Sequence, residues 1–130
     1  MIFWLILIIV VGLAAYVRLA PSDPARWHTE VTETANTTMP YGAVRVVPAG
    51  DGTFERLDVL MQDLPRTRVL AGSVAEGRVT YVTRSKWMGF PDYTTIERAG
   101  DELRLFARSR FGKSDMGVNI ARLQTVLGQL

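Results

Sequence analysis

At 130 residues, with 15 Lys and Arg against 13 Asp and Glu, the chain has room for one small domain and not for two. A formal net charge of +2 is too small an excess to argue for nucleic-acid binding. The chain contains no cysteine, which removes thiol nucleophiles, disulfides and acylation on cysteine, and leaves the redox compartment undecided.

Residues Met1 to Val17 carry no charged side chain and are almost wholly apolar. As a helix they reach roughly 25 Å, at about 1.5 Å per residue. Leu19 and Ala20 lengthen the run, and Arg18 is able to snorkel to a membrane interface. The reading is a single transmembrane anchor over residues 1–20, with Trp4 as an interfacial aromatic; the rival is a cleaved signal peptide, which normally has a basic start that this run lacks. Arg18 and Arg26, the cations flanking the run, favour a cytoplasmic domain by the positive-inside rule. A short apolar segment before a small domain is also a common export design, and the expectation is a bacterial inner-membrane protein with a periplasmic domain.

Residues 21–40 read as a linker, with Pro21, Pro24 and Pro40 breaking helices and five threonines between them. Within it, Trp27 is a candidate interfacial or packing aromatic. His28, the single histidine, has no second His or Cys with which to share a metal.

Residues 41–130 read as an α+β domain. Ala43 to Val47 form a strand closed by Pro48 and a Gly50-Asp51-Gly52 turn. Thr53 stands as an N-cap to a short helix whose apolar residues Phe54, Leu57, Leu60, Met61 and Leu64 recur at helical spacing. Thr67 to Val74 and Arg78 to Ser85 are two further strands. Lys86 to Asp92 is a loop with two large aromatics, Trp87 and Phe90. Tyr93 to Arg98 and Glu102 to Arg110 form a last hairpin. In its second arm Leu103, Leu105 and Ala107 face the core, and Arg104, Phe106, Arg108 and Arg110 form an opposite basic face. A final helix is expected from Ser114 as N-cap, with Asp115 in its first turn and a stripe of Met116, Ile120, Leu123, Leu127 and Leu130 turned to the sheet. The sum is about five antiparallel strands packed by a C-terminal helix and one short helix.

Phe90, Pro91 and Asp92, followed by Ser109, Arg110, Gly112, Ser114, Asp115, Gly117, Asn119 and Arg122, resemble the bacterial and plastid family called domain of unknown function 1499. The resemblance is carried mainly by Tyr81 to Leu127, and it implies a small, often membrane-tethered or exported domain with no established catalytic residues. The wording around Leu19 to Trp27 is similar to that of alphaproteobacterial members.

Two uses of these polar residues are open. In one, Arg104, Arg108, Arg110, Lys113 and Arg122 gather at the N-terminus of the last helix and bind a carboxylate, phosphate or lipid headgroup. In the other, Asp92, Ser114, Asp115 and Asn119 form a structural polar clasp: both aspartates pair with arginines, and Gly112 and Gly117 permit the turns. The two aspartates are expected to stay ionised beside so many cations. No cofactor, metal set or serine–histidine pair is legible. The expected function is therefore a non-catalytic, membrane-anchored accessory or interaction protein, docking on a larger respiratory or photosynthetic membrane complex through aromatics such as Trp27, Trp87, Phe90 and Phe106. The alternative is a module for an anionic small molecule or lipid headgroup.

Overall fold

The computed structural model describes residues 1–111 and 113–130. Gly112, expected to shape the turn before the last helix, lies outside the described residues.

The uninterrupted apolar run forms helix α1 (Ile2–Leu19), with no residue of it buried. It is long and apolar enough to cross a membrane, and an N-terminal signal sequence meets the same description. A single turn, α2 (Pro24–Trp27), follows; Asp23 caps it through its side chain and Pro24 stands at its first position.

The domain is one six-stranded antiparallel sheet, β1 (Thr37–Met39), β2 (Gly42–Pro48), β3 (Thr67–Ser73), β4 (Arg78–Arg84), β5 (Pro91–Ala99) and β6 (Glu102–Ser109), in the spatial order β1-β2-β6-β5-β4-β3. Helices α3 (Thr53–Asp63) and α4 (Val118–Leu127) cover one face. Their Phe54, Leu57, Met61, Leu123 and Val126 are buried against Ala43, Val79, Tyr81, Ile96, Leu103, Leu105 and Ala107. Alternation along each strand puts those residues on one side of the pleat.

Six strands are present where about five were expected, and the sixth, β1, comes from the stretch read as linker. Its three residues are too few and too threonine-rich to show an alternating pattern, and pairing with β2 makes them a strand. The neighbouring edge is completed by side chains: Asn36 Oδ1 accepts the Val46 amide at 2.8 Å, and Arg45 donates to the Thr37 carbonyl at 3.0 Å.

Residues 20–36 also run across the second face of the sheet as a strap and pack on it. Ala20 and Val31 are buried. Ser22 hydrogen-bonds Tyr93 Oη at 2.6 Å, His28 Nδ1 meets Thr80 Oγ1 at 2.8 Å, and the Val31 amide donates to Glu97 Oε2 at 3.1 Å. Glu97 is in turn held by Arg78 at 2.5 Å. A stretch that lacks helical or strand periodicity has thus replaced a second layer of helices.

Two helix starts differ from expectation. Thr53 lies inside α3; the capping position is Gly52, in the left-handed region at φ 71°. Helix α4 begins at Val118, three residues later than a Ser114 cap would place it. Consequently Met116 and Leu130 are exposed, and Leu123 and Val126 carry the contact to the core.

Candidate functional site

The pairing register sets the two ends of the sheet apart. At one end the turns at residues 49–52, 74–77 and 100–101 carry Asp51, Glu76 and Asp101 and no cation. At the other, the loops at 64–66, 85–90 and 110–117 carry Arg66, Lys86, Arg110 and Lys113 against one acid, Asp115. The second end is also where α1 meets the domain: Arg84 donates to the Val17 carbonyl at 3.2 Å, and the Arg18 guanidinium reaches the Trp87 carbonyl.

At this end the Asp92 to Arg122 polar residues converge. Arg122 donates from Nη2 to Asp92 Oδ2 at 3.2 Å and from Nη1 to Asn119 Oδ1 at 2.6 Å. Asn119 Nδ2 donates to Asp115 Oδ2 at 2.9 Å and to Ser109 Oγ at 3.1 Å. Asp115 pairs with Asn119 and main-chain amides, where an arginine had been expected. Its Oδ1 accepts from Gly117 N at 2.8 Å and its Oδ2 from Asn119 N at 3.2 Å. Asp115 thus acts as the cap that Ser114 was expected to supply; among the described residues Ser114 Oγ accepts only from Met116 N, at 3.3 Å. A carboxylate therefore already occupies the positive end of α4, where an external anion would have to sit.

Burial pushes the Asp92 carboxyl above the usual carboxylate range, and the opposing pull of Arg122 only partly offsets it. The expectation that cations alone would keep both aspartates ionised left out this desolvation.

The five cations proposed for one anion site are dispersed. Arg108 is 5% exposed and belongs to the strap side of the sheet. It donates to Thr95 Oγ1 at 2.8 Å and to the Phe106 and Trp27 carbonyls, with its guanidinium over the Phe106 ring at 4.7 Å. Burial lowers its pKa to about 10. Arg104 donates to the Val31 carbonyl at 3.3 Å and lies 3.6 Å from Glu102. Arg110 donates to the Pro21 carbonyl at 2.9 Å. Arg122 is spent on Asp92, and Lys113 is exposed. The basic face that alternation indicated is real, but the strap covers it, and each of Arg104, Arg108 and Arg110 donates to one strap carbonyl.

Trp27 stacks on Tyr93, with centroids 4.0 Å apart, and faces inward. Trp87 and Phe90 are exposed. Met88, Met116 and Val118 are exposed at the same end. The half-buried Phe111 touches both Phe90 and Tyr16 of α1, at centroid distances of 6.4 and 6.3 Å. Met88, Met116 and Phe111 went unnoticed as surface residues because only the register brings their loops together.

Two clefts flank loop 85–90, and Ser85 lines both. One, of about 420 Å³, is walled by Phe90, Phe111, Asp92, Asp115, Ser109 and Ser114, among others. The other, of about 550 Å³, is walled by Arg18, Arg66, Arg68, Arg84 and Lys86, with no acid in its lining. Sequence reading missed this second group, since its members come from α1, β3, β4 and two loops. Among the described residues no three His, Asp or Glu side chains are placed to hold a metal ion. Nor does His28 reach a serine: it bonds Thr80 on the strap face, whereas Ser109 contacts Asn119 on the helix face.

No curated protein and no solved structure matches the chain. The family model described as "Protein of unknown function (DUF1499)" matches residues 17–130, covering the strap and the whole sheet together with both domain helices, and the chain belongs to that family.

Proposed function

We propose that this chain is a non-catalytic, single-span accessory protein of a bacterial inner membrane, whose domain rests with its basic, aromatic end against the bilayer. The observation that carries the reading is the convergence at the α1 end of exposed apolar side chains, Trp87 at 77% and Met116 at 94%, with the cations of the adjoining loops, while acids occupy the far turns. Aromatic and basic residues together are what a lipid interface selects. The internal pairing of Asp92, Asp115, Asn119 and Arg122 supports a structural clasp, because the groups that would have to act on a substrate are spent on one another.

With every residue of α1 outside the core, the helix is free to pack on the helices of a larger assembly, which we propose to be a respiratory or photosynthetic complex. Affinity purification in mild detergent tests this partner, and recovery of the protein alone would count against it. We place the domain in the periplasm, following the export design of the N-terminus.

The absence of native cysteine allows a direct test of the membrane contact. Met116→Cys and Glu76→Cys, each labelled with a polarity-sensitive fluorophore in anionic nanodiscs, should differ, with a blue-shifted emission at position 116 only. Equal, water-like emission at both positions would refute the lipid-facing orientation.

A further inference from the structure

The cavity walled by Arg18, Arg66, Arg68, Arg84 and Lys86 has no counter-charge. Among the described residues the ion pairs are Arg78–Glu97, Arg104–Glu102 and Arg122–Asp92, so none of the five cations is matched by a carboxylate. Like charges brought together without an anion repel one another, and an arrangement of this kind is relieved by a bound anion.

Main-chain carbonyls hold three of the guanidiniums in place without neutralising them. Arg84 donates from Nη1 to the Gly89 carbonyl at 2.9 Å as well as to Val17; Arg66 donates from Nε to the Arg84 carbonyl at 2.9 Å; and Arg18 reaches the Trp87 carbonyl. A guanidinium has five N–H groups, and the Nη atoms of Arg66 have no partner among the described residues. Two backbone features serve the same cavity. Arg66 adopts φ 54°, a conformation that costs a non-glycine residue energy. Gly89, at φ 72°, leaves room for the Arg18 side chain, since a Cβ there would come within 2.8 Å of Arg18 Cγ.

We infer that this cavity binds the phosphate of an anionic glycerophospholipid headgroup. Planar guanidiniums suit phosphate oxygens, and the cavity lies where the last turn of α1 ends. In an inserted chain that is the level of the lipid phosphates. Its walls offer no carboxylate to receive a choline or ethanolamine ammonium, so a headgroup of net negative charge is preferred. The lipid as source of the phosphate rests on the membrane-anchored reading; the anion site itself does not.

The test uses the full chain in a non-ionic detergent, titrated with dihexanoyl phosphatidic acid, dihexanoyl phosphatidylcholine and inorganic phosphate. The anionic lipid should bind about tenfold more tightly than either of the others. Arg68→Gln/Lys86→Gln, which removes two exposed cations, should weaken it by about tenfold or more, whereas Lys113→Gln, at the same end but outside the cavity, should leave it within about twofold. Thermal melts establish that each variant is folded; should the double variant not fold, Arg68→Gln alone is used and should weaken the lipid by about threefold or more. Equal affinity for inorganic phosphate would overturn the lipid as occupant. Equal losses on removing Lys113 or the cavity cations would reduce the site to general surface charge, and no binding of any probe would overturn it. Release of the chain from membranes by alkaline carbonate would defeat the anchored reading and leave these detergent results standing.

Discussion

The indole of Trp27 lies nearly flat on the phenol ring of Tyr93, 4.0 Å between centroids and 17° between planes, and the guanidinium of Arg108 reaches the Trp27 carbonyl from beneath. One residue of the strap thereby covers an aromatic ring and satisfies a buried cation of the sheet.

Trp27→Ala should cost about 2–3 kcal/mol, because it uncovers Tyr93 and admits water beside Arg108. Tyr93→Phe keeps the stack and loses only the hydroxyl bonded to Ser22 and Arg110, for a cost of about 1 kcal/mol. Urea denaturation of both variants in detergent checks the order. A larger loss in Tyr93→Phe would mean that hydrogen bonding, and not stacking, holds the strap.

Asp115→Ala should destabilise the domain by about 1–2 kcal/mol, since it leaves the Gly117 and Asn119 amides uncapped and Asn119 Nδ2 short of a partner. Ser114→Ala should cost less than about 0.5 kcal/mol, because it removes one exposed bond. Melting temperatures distinguish the two: equal shifts would return the cap to Ser114.

His28 makes the fold sensitive to acid. Burial and the charge of Arg78 lower its pKa below the ordinary value of 6.5. His28 Nδ1 shares a hydrogen bond with Thr80 Oγ1, which is bonded in turn to Thr95 Oγ1, the acceptor from Arg108, so a charge on the imidazole would stand two hydroxyls away from that cation and be repelled by it. With the folded-state pKa below the unfolded one, the unfolded chain binds more protons in the window between them. Stability therefore rises with pH up to about 6.5 and falls on acidification through that window. His28→Asn, which keeps a polar atom near Thr80, should flatten this part of a melting-temperature profile between pH 7 and 5. The Asp92 carboxyl acts in the opposite sense: its folded pKa lies above the unfolded one, so it favours the folded state at low pH and loses that contribution as pH rises through its window. Asp92→Asn should remove that opposing slope.

Gly72→Ala should destabilise by about 2–3 kcal/mol. The residue sits at φ 83°, and a Cβ would come within 2.1 Å of the Arg78 carbonyl oxygen and 2.6 Å of His28 Cε1. Gly77→Ala, at φ 81° with open space around it, should cost about 1 kcal/mol from backbone conformation alone. The difference between the two measures how closely the Arg78 carbonyl and the His28 ring together rest on β3 at Gly72.

Alternation and helical spacing made the domain legible. Leu103, Leu105 and Ala107 announced the core side of β6, and Phe54, Leu57 and Met61 announced α3. The strap was not legible, because its residues act through single contacts: Trp27 on Tyr93, His28 on Thr80, and Val31 on Glu97 and Arg104 have no period to reveal them. The polar stretch from Ser109 to Arg122 was recognised as a unit, yet its cap was misplaced, since Ser114 and Asp115 are both good capping residues and the left-handed Met116 and Gly117 hold the chain out of the helix until Val118. The cation cavity was hidden for a different reason. Arg18, Arg66 and Arg84 are far apart in the chain, and each looks like an ordinary strand or helix end until the register of β3, β4 and β5 brings them together.

The zipping of residues 20–36 onto the sheet gives the apolar helix a bracket in place of a leash. A flexible tether would let the domain tumble over the lipid surface and offer any side to a partner. Here the first residues after Leu19 are already fixed, through Ser22 and Pro21, to Tyr93 and Arg110. A tilt of the helix would therefore carry the sheet with it. The way the sheet hangs from the apolar helix is set by the fold itself.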